Sequence, residues 1–591
     1  MCSIAGYSGL ADSSRERTFF DLLRHRGPDG ENSVRVDDWV LLHQRLAIID
    51  LSPAAAQPME LHGNWLVFNG EIYNYRELRA AHLPGVPLKS TSDTEVLLHL
   101  LDRYGLGILR QLNGMFSFAW YNARERVLHL VRDRYGVKPL YWMRHCGGFA
   151  FASEIKPLLR LRGRVEWNDD FLQNYLHRYL TDYGAPTFDR HIEQVPAGHR
   201  VQIDHKTAST HRWYEFADST LPATPRSFAA AAEQFEELLV DAIRLRLRAD
   251  VPVAITLSGG LDSTTIYTLA KARLQANIQP FTLVRPGFLK EESDLASQLA
   301  RRFGDTVIEV PGPAAVSWEN ALAALWMLEF PGISVSSAAY LGVYRAIQAT
   351  GCRVVLEGHG GDELLGGYPV HVQAAWRTLL ARGHRRAAYG LFRQQERLSH
   401  ADFRPRQHRT PLLLRFLRDA RRQRVGREHF ESVLRETFDL TSLPLILREF
   451  DRLPMACSLE SRSPFMDYRV VEFARSLPLD YKINPTGTKA ILRHILRKHG
   501  VNEIAAVPWK IPFTANLLEF MGAHSVQLRA AITCLNGSLI PWREYGLRLL
   551  DKKALTWQDC HALWRTAAVP LTQQMYADWL NSADAPLPPC L

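Results

Sequence analysis

Three short stretches hold the residue types from which chemistry can be built. The first is the opening, "MCSIAGYSG". With Met1 removed, Cys2 would present a thiol beside its own α-amine, and a nucleophile paired with an amine base is one route to acyl transfer. A free cysteine also packs as a small hydrophobe. Position alone leaves Cys2 open between the two. The second stretch is "LSGGLDS", Leu257 to Ser263, between an apolar run and a helical one. Its glycines let the backbone approach an anion. The amides at a helix start, with Ser258 and Ser263, supply donors to phosphate oxygens. Asp262 in such a loop suits Mg²⁺ held beside the phosphates. The spacing is not that of a Walker A loop, so the pattern points to pyrophosphate or ATP held another way. The third stretch, "GHGGDELLGGY" (Gly358 to Tyr368), follows the apolar "RVVLE". Asp362 there either shares one Mg²⁺ with Asp262 or caps a turn.

These loops need strands that end beside one another. From "VPVAITL" onward, apolar runs ("QPFTLV", "DTVIEV", "CRVVLE") alternate with helical sequence. That alternation predicts a parallel α/β sheet, whose ligands gather at the carboxyl ends of the strands. Before it the texture differs. "WVLLHQRLAIID", "NWLVFNGEIY", "MFSFAWYN" and "RVLHLVRD" are rich in β-branched and aromatic residues, and predict antiparallel strands. "SDTEVLLHLLDRYG" predicts a helix capped by Ser92 or Asp93. Residues 213–228, "WYEFADSTLPATPRSF", have the Pro, Ser and Thr content of a linker. The final hundred residues predict mostly helix.

At 591 residues the chain is too long for one core. It is 46% hydrophobic and 23% charged, the balance of an ordinary globular protein. No run is long enough to span a bilayer, and no signal peptide is expected. Seven cysteines without a framework suit a reducing cytoplasm. The net charge of +9 owes much to arginines between Trp376 and Phe430. With no nucleic-acid module beside them, a solvated helical surface is the expectation, and neither nucleic acid nor membrane is expected as a partner.

In order along the chain, "MCSIAG", "RHRGPDG", "HQRLAIIDLS", "FNGEIYNYREL", "SDTEVLL", "DRYGVKPLYW", "LSGGLDS", "GGDELLGGY", "ESRSPFMD" and "PWKIPF" resemble the glutamine-dependent asparagine synthetases over essentially the whole chain. The resemblance implies a multidomain α/β protein. An N-terminal-nucleophile α-β-β-α sandwich (residues 1–212, a class II glutamine amidotransferase) would precede the linker. A parallel-sheet ATP-pyrophosphatase (PP-loop) domain with a helical C-terminal part (229–591) would follow it. By the same resemblance Cys2 is the glutaminase nucleophile, and the Asn69 side chain and Gly70 amide form the oxyanion hole. Arg45 pairs with the α-carboxylate of glutamine, Glu71 and Asp93 face its α-ammonium, and Ile48 lines the same pocket. Ser258, Gly259, Gly260, Asp262 and Ser263 hold pyrophosphate; Thr256, Leu257, Leu283, Glu357 and Gly358 cradle the rest of ATP. Asp262 and Asp362 hold Mg²⁺. Lys510 neutralises charge at the transferring centre. Lys489 is either a second phosphate contact or a surface lysine. Ammonia would pass through an internal channel to a carboxylate activated as an acyl-adenylate, the acceptor being aspartate or another small molecule. A homodimer is compatible with the resemblance.

Three departures fall in the acceptor half. The family typically reads SGEGSDE where this chain reads "EGHGGDE", so His359 replaces a glutamate tied to adenylate formation and Glu357 replaces a serine. The segment after "WMLEF" is short, and Ser334 stands where an acceptor-loop arginine would fall. Asparagine synthesis, amidation of a different carboxylate and a non-enzymatic role are the alternatives. The last is disfavoured by Cys2, Asp262, Asp362 and Lys510. Ring-forming relatives such as β-lactam synthetases need no ammonia, and the intact glutaminase set argues against them.

Overall fold

A computed structural model of the chain describes residues 2–9, 12–204, 206–216, 225–284, 291–312, 316–330, 332, 334–401, 411–422, 425–507 and 517–582. Twelve strands form the first part: β1 Ser3–Ser8, β2 Gly30–Val36, β3 Trp39–Arg45, β4 Met59–Leu61, β5 Asn64–Ile72, β6 Gly114–Asn122, β7 Val127–Arg132, β8 Tyr141–His145, β9 Gly148–Ala152, β10 Ile192–Gln194, β11 His199–Ile203 and β12 Ala208–Arg212. They make two antiparallel sheets, ordered β10-β8-β9-β1-β3-β2 and β12-β11-β7-β6-β5-β4.

Two-residue alternation decides what each face meets. Ile4, Leu41, Val67, Ala119, Leu130 and Phe151 point between the sheets. Their neighbours Ala5, Tyr7 and Val40 meet helices such as Ser13–Leu23 on one outer face. Leu66, Phe68 and Phe118 meet the helix Asp93–Tyr104 on the other. The layers are therefore helix, sheet, sheet, helix, as expected. Ser92 caps that second helix, accepting from the Glu95 amide at 3.2 Å. Trp213 packs back on the first part, its indole donating to the Arg132 carbonyl at 3.0 Å; residues 217–224 of the expected linker lie outside the described residues.

The second part is built on five parallel strands: β13 Val253–Thr256, β14 Gln279–Val284, β15 Ile308–Pro311, β16 Val354–Leu356 and β17 Glu460–Arg462, in the order β15-β14-β13-β16-β17. Ala254, Phe281 and Val355 pack on one face, and Val253, Ile255, Val354 and Leu356 on the other. Burial on both faces explains the continuous apolar runs. β17 was not foreseen: three residues reading Glu-Ser-Arg carry no strand signal, yet Glu460, Ser461 and Arg462 pair with Val354, Val355 and Leu356. The Arg-rich segment folds as helices Pro369–Ala381, Arg385–Ala401 and Leu412–Arg422 around Trp376, Phe392 and Phe416.

Buried charge joins the two parts. Arg26 is fully buried and donates to Glu154 at 3.0 Å and, through both terminal nitrogens, to Asp451 at 2.9 and 3.2 Å. Lys156 and Arg452 meet Glu329 from opposite parts at 3.5 and 3.0 Å. Arg462 pairs with Glu71 at 3.1 Å. Burial would raise the Asp451 carboxyl, but Arg26, Lys138 and Arg452 bring it down to about 2. Removing one partner of a buried pair costs about 3–5 kcal/mol, so Asp451→Ala is expected to lower the melting midpoint sharply at pH 7. A carboxyl held below its ordinary value of about 3.9 stabilises above that value and stops doing so as pH falls towards 2. The gap between wild type and variant should therefore close over that range; a constant gap would refute the ion-pair account.

Candidate active site

Two groups of the singled-out residues come together, one in each part. In the first, Cys2 leads into β1, with its Sγ 3.9 Å from the Leu46 carbonyl oxygen. Burial, its largest influence, raises the thiol. The Cys2 carbonyl accepts from Arg26 Nε at 3.5 Å. Asn69 on β5 is fully buried, and among the described residues neither end of its amide has a hydrogen-bond partner. Gly70 follows with φ +148°, and a Cβ there would lie 2.7 Å from Phe116 Cα, so only glycine fits. An unsatisfied buried amide beside a forced glycine is the kind of donor pair that can meet an oxyanion.

The remaining residues of that group are engaged with the protein. Arg45 donates to the Ser52 carbonyl at 2.8 Å and to the Asp50 carbonyl. Glu71 is buried against Arg462. Asp93 accepts from the Ile72 amide at 2.8 Å, and burial lifts its carboxyl to about 6. Ile48 is buried and packs, with Leu46, into the hydrophobic core of the second part.

In the second group, Gly260 starts the helix Leu261–Ala272 directly after β13. Ser258 and Ser263 touch through their hydroxyls at 3.1 Å, and Gly260 N donates to Ser258 Oγ at 3.3 Å. The loop after β16 lies against this turn. A methyl on Gly358 would sit 2.8 Å from Asp262 Cβ, and one on Gly361 would sit 2.6 Å from Asp262 Oδ1. Asp262 and Asp362 converge on one cation, the Lys489 ammonium, 2.5 Å from each. Lys489 is 3% exposed, which removes the surface-lysine alternative. Its φ of +52° is unusual for a lysine and is held where two carboxylates surround the side chain. "GTKAILRHIL" carried no signal of that burial. Two carboxylates aimed at one point, in a cradle that Cβ atoms would fill, fit a divalent cation beside phosphates. Leu257 is buried, and Leu283 is half-buried at the end of β14. Lys510 lies outside the described residues.

Glu357 follows β16 and accepts from Ser461 Oγ at 2.5 Å, Tyr344 Oη at 2.9 Å and Thr256 Oγ1 at 3.5 Å. His359 packs on Phe450 with ring centres 5.0 Å apart, and burial first, then Lys138, takes its imidazole down to about 3. It is a neutral group in this fold.

Residues 1–214 match the family model described as a glutamine amidotransferase domain, and residues 234–570 match the model described as asparagine synthase. The second match alone spans more than half of the chain. The chain belongs to the asparagine synthase family. Among relatives of this asparagine synthase family protein, the glutamine-hydrolysing asparagine synthetase 2 of Bacillus subtilis is 28% identical, over 87% of this chain and 72% of its own length. A Zea mays asparagine synthetase is 32% identical over 62% of this chain and 60% of its own. Amidase chry2 of Gibberella zeae is 27% identical over 81% of each. As an asparagine synthase family member carrying the amidotransferase domain, the protein is a glutamine-dependent, ATP-using carbon–nitrogen ligase. Among the described residues no helix is long and apolar enough to cross a membrane.

Burial lifts the Glu357 carboxyl to about 7 despite its three hydroxyl donors. A raised carboxyl stabilises the fold below its ordinary value of about 4.3, and that stability is lost as pH rises through 7. Glu357→Gln is expected to flatten the decline in melting midpoint between pH 5 and pH 8. An equal decline in both proteins would remove Glu357 as its source.

Proposed function

We propose that the two groups of residues run two half-reactions. Cys2, with its own α-amine as base, attacks the side-chain amide of glutamine. Asn69 and the Gly70 amide receive the oxyanion, and Arg45, Ile48, Glu71 and Asp93 surround the amino-acid end. Ammonia then crosses inside the protein to a carboxylate activated by ATP. On this reading 1–212 is the glutaminase domain, 213–228 the linker and 229–591 the ligase domain, in a cytoplasmic protein.

In the ligase domain, Ser258, Gly259, Gly260 and Ser263 orient pyrophosphate. Thr256, Leu257, Leu283, Glu357 and Gly358 border the rest of ATP. Asp262 and Asp362 would hold Mg²⁺, which supplies charge neutralisation for the leaving phosphates. Lys489 moves its ammonium between that carboxylate pair and phosphate oxygens, and Lys510 completes the cationic set. The observation that carries this reading is the convergence of Asp262 and Asp362 on one point at the mouth of the Ser258–Ser263 turn.

The same chemistry on a carboxylate other than aspartate is favoured by His359. A neutral imidazole tilted against Phe450 takes the place of an anionic glutamate, so the acceptor meets a different charge there. Turnover of glutamine, ATP and aspartate to asparagine at the rate of an ordinary asparagine synthetase would overturn this second reading.

Cys2→Ala is expected to abolish glutamine-dependent product while sparing the reaction driven by ammonium chloride. Asp262→Asn and Asp362→Asn are each expected to stop acceptor-dependent pyrophosphate release by about a hundredfold or more, as loss of charge stabilisation at a phosphoryl site does, while glutamine hydrolysis stays measurable. Near-normal pyrophosphate release in both variants would refute the metal assignment.

A further inference from the structure

We propose that the acceptor is a carboxylate whose remaining charge is positive, its ammonium or guanidinium seated on Glu449 where the helix Ser442–Met455 faces Ser337. This rests on reading the second part as a carboxylate-amidating site. Glu449 is half-buried, and among the described residues its hydrogen bond comes from Ser337 Oγ at 2.8 Å. Ser337 opens the helix Ser337–Ala349. Phe450, next in sequence to Glu449, meets the Tyr340 ring at 5.3 Å and the His359 imidazole at 5.0 Å. Tyr340 stacks on Tyr344 at 6.5 Å, and Tyr344 donates to Glu357. A continuous aromatic wall thus joins Glu449 to the loop that touches Asp262.

The wall is acidic, and among the described residues no lysine or arginine pairs with Glu357 or Glu449. Glu357 meets three hydroxyls and Glu449 meets one, and burial lifts both carboxyls to about 7. Carboxylates kept in such a place without a cation cost stability, which a positively charged ligand would offset. His359 points to the same ligand. Its side chain is 8% exposed, and its Nδ1 has no hydrogen-bond partner among the described residues, with Glu357 Oε2 3.9 Å away. Lys138, the cation His359 feels, is itself paired with Asp451 at 3.5 Å. Ser334, where the resemblance places an arginine, is bonded to Ser336 Oγ at 3.0 Å and offers no charge. Aspartate would bring a second carboxylate towards Glu449, and like charges select against it.

The test is acceptor-dependent ATP–pyrophosphate exchange by the full chain with 4-aminobutyrate, 4-guanidinobutyrate, butyrate or aspartate. The two cationic acids are expected to exceed butyrate and aspartate by about tenfold or more, the usual weight of a hydrogen bond to a charged group. Glu449→Gln should erase that preference, and Glu449→Lys should shift it towards aspartate, a gain that misfolding cannot produce. Equal or faster exchange with aspartate or butyrate in the wild type overturns the proposal while leaving the amidating function standing. So does an unchanged preference in Glu449→Gln. No exchange with any of the four overturns the amidating function and the proposal together.

Discussion

Arg26 is the interaction on which the rest of the molecule depends. Its guanidinium is wholly buried, grips Asp451 of the second part with both terminal nitrogens, holds Glu154 of the first, and reaches the Cys2 carbonyl. A fork of fixed geometry suits this task, since a lysine could not address three partners in one plane. Taking so many charges out of water carries a large desolvation cost, and well-packed apolar residues would cost less. What the ions supply is position. Mispaired partners would leave an uncompensated buried charge, so the two parts have one favourable way to dock.

The first part was legible because its strands are long and rich in β-branched and aromatic residues. β5 and β6 each run nine residues, with Trp65, Val67 and Phe68 in one and Phe116, Phe118 and Trp120 in the other. The turn after β13 was legible because glycines, serines and an aspartate follow a buried run. What escaped was of two kinds. β17 is too short and too polar to register as a strand, although it opens the motif "ESRSPFMD". Lys489 and Glu449 owe their importance to partners 227 and 112 residues away, and no local pattern encodes such a meeting. Arg26 lay within a recognised motif, yet its partner Asp451 is 425 residues distant.

The two chambers differ in how they treat charge. On the glutaminase side, Glu71 meets Arg462 and Asp451 meets Arg26, while Asp93 is held by the Ile72 amide. At the phosphate turn, two carboxylates share one lysine. Along the wall of Glu357 and Glu449 the acids are met by hydroxyls.

β17 separates these chambers, and it is one strand thick. Successive residues on a strand point to opposite sides. Glu460 and Arg462 therefore look towards Glu71, while Ser461 looks towards Glu357. Both chambers read the position of the same three residues. A slide along β16 by one residue would turn the guanidinium towards Glu357 and the hydroxyl towards Glu71. A smaller tilt on one side is felt on the other with no hinge between them. The strand is thus a shared wall between Glu71 and Glu357, and on the proposed reading of the two sites a change made for the acceptor is also felt where glutamine is hydrolysed.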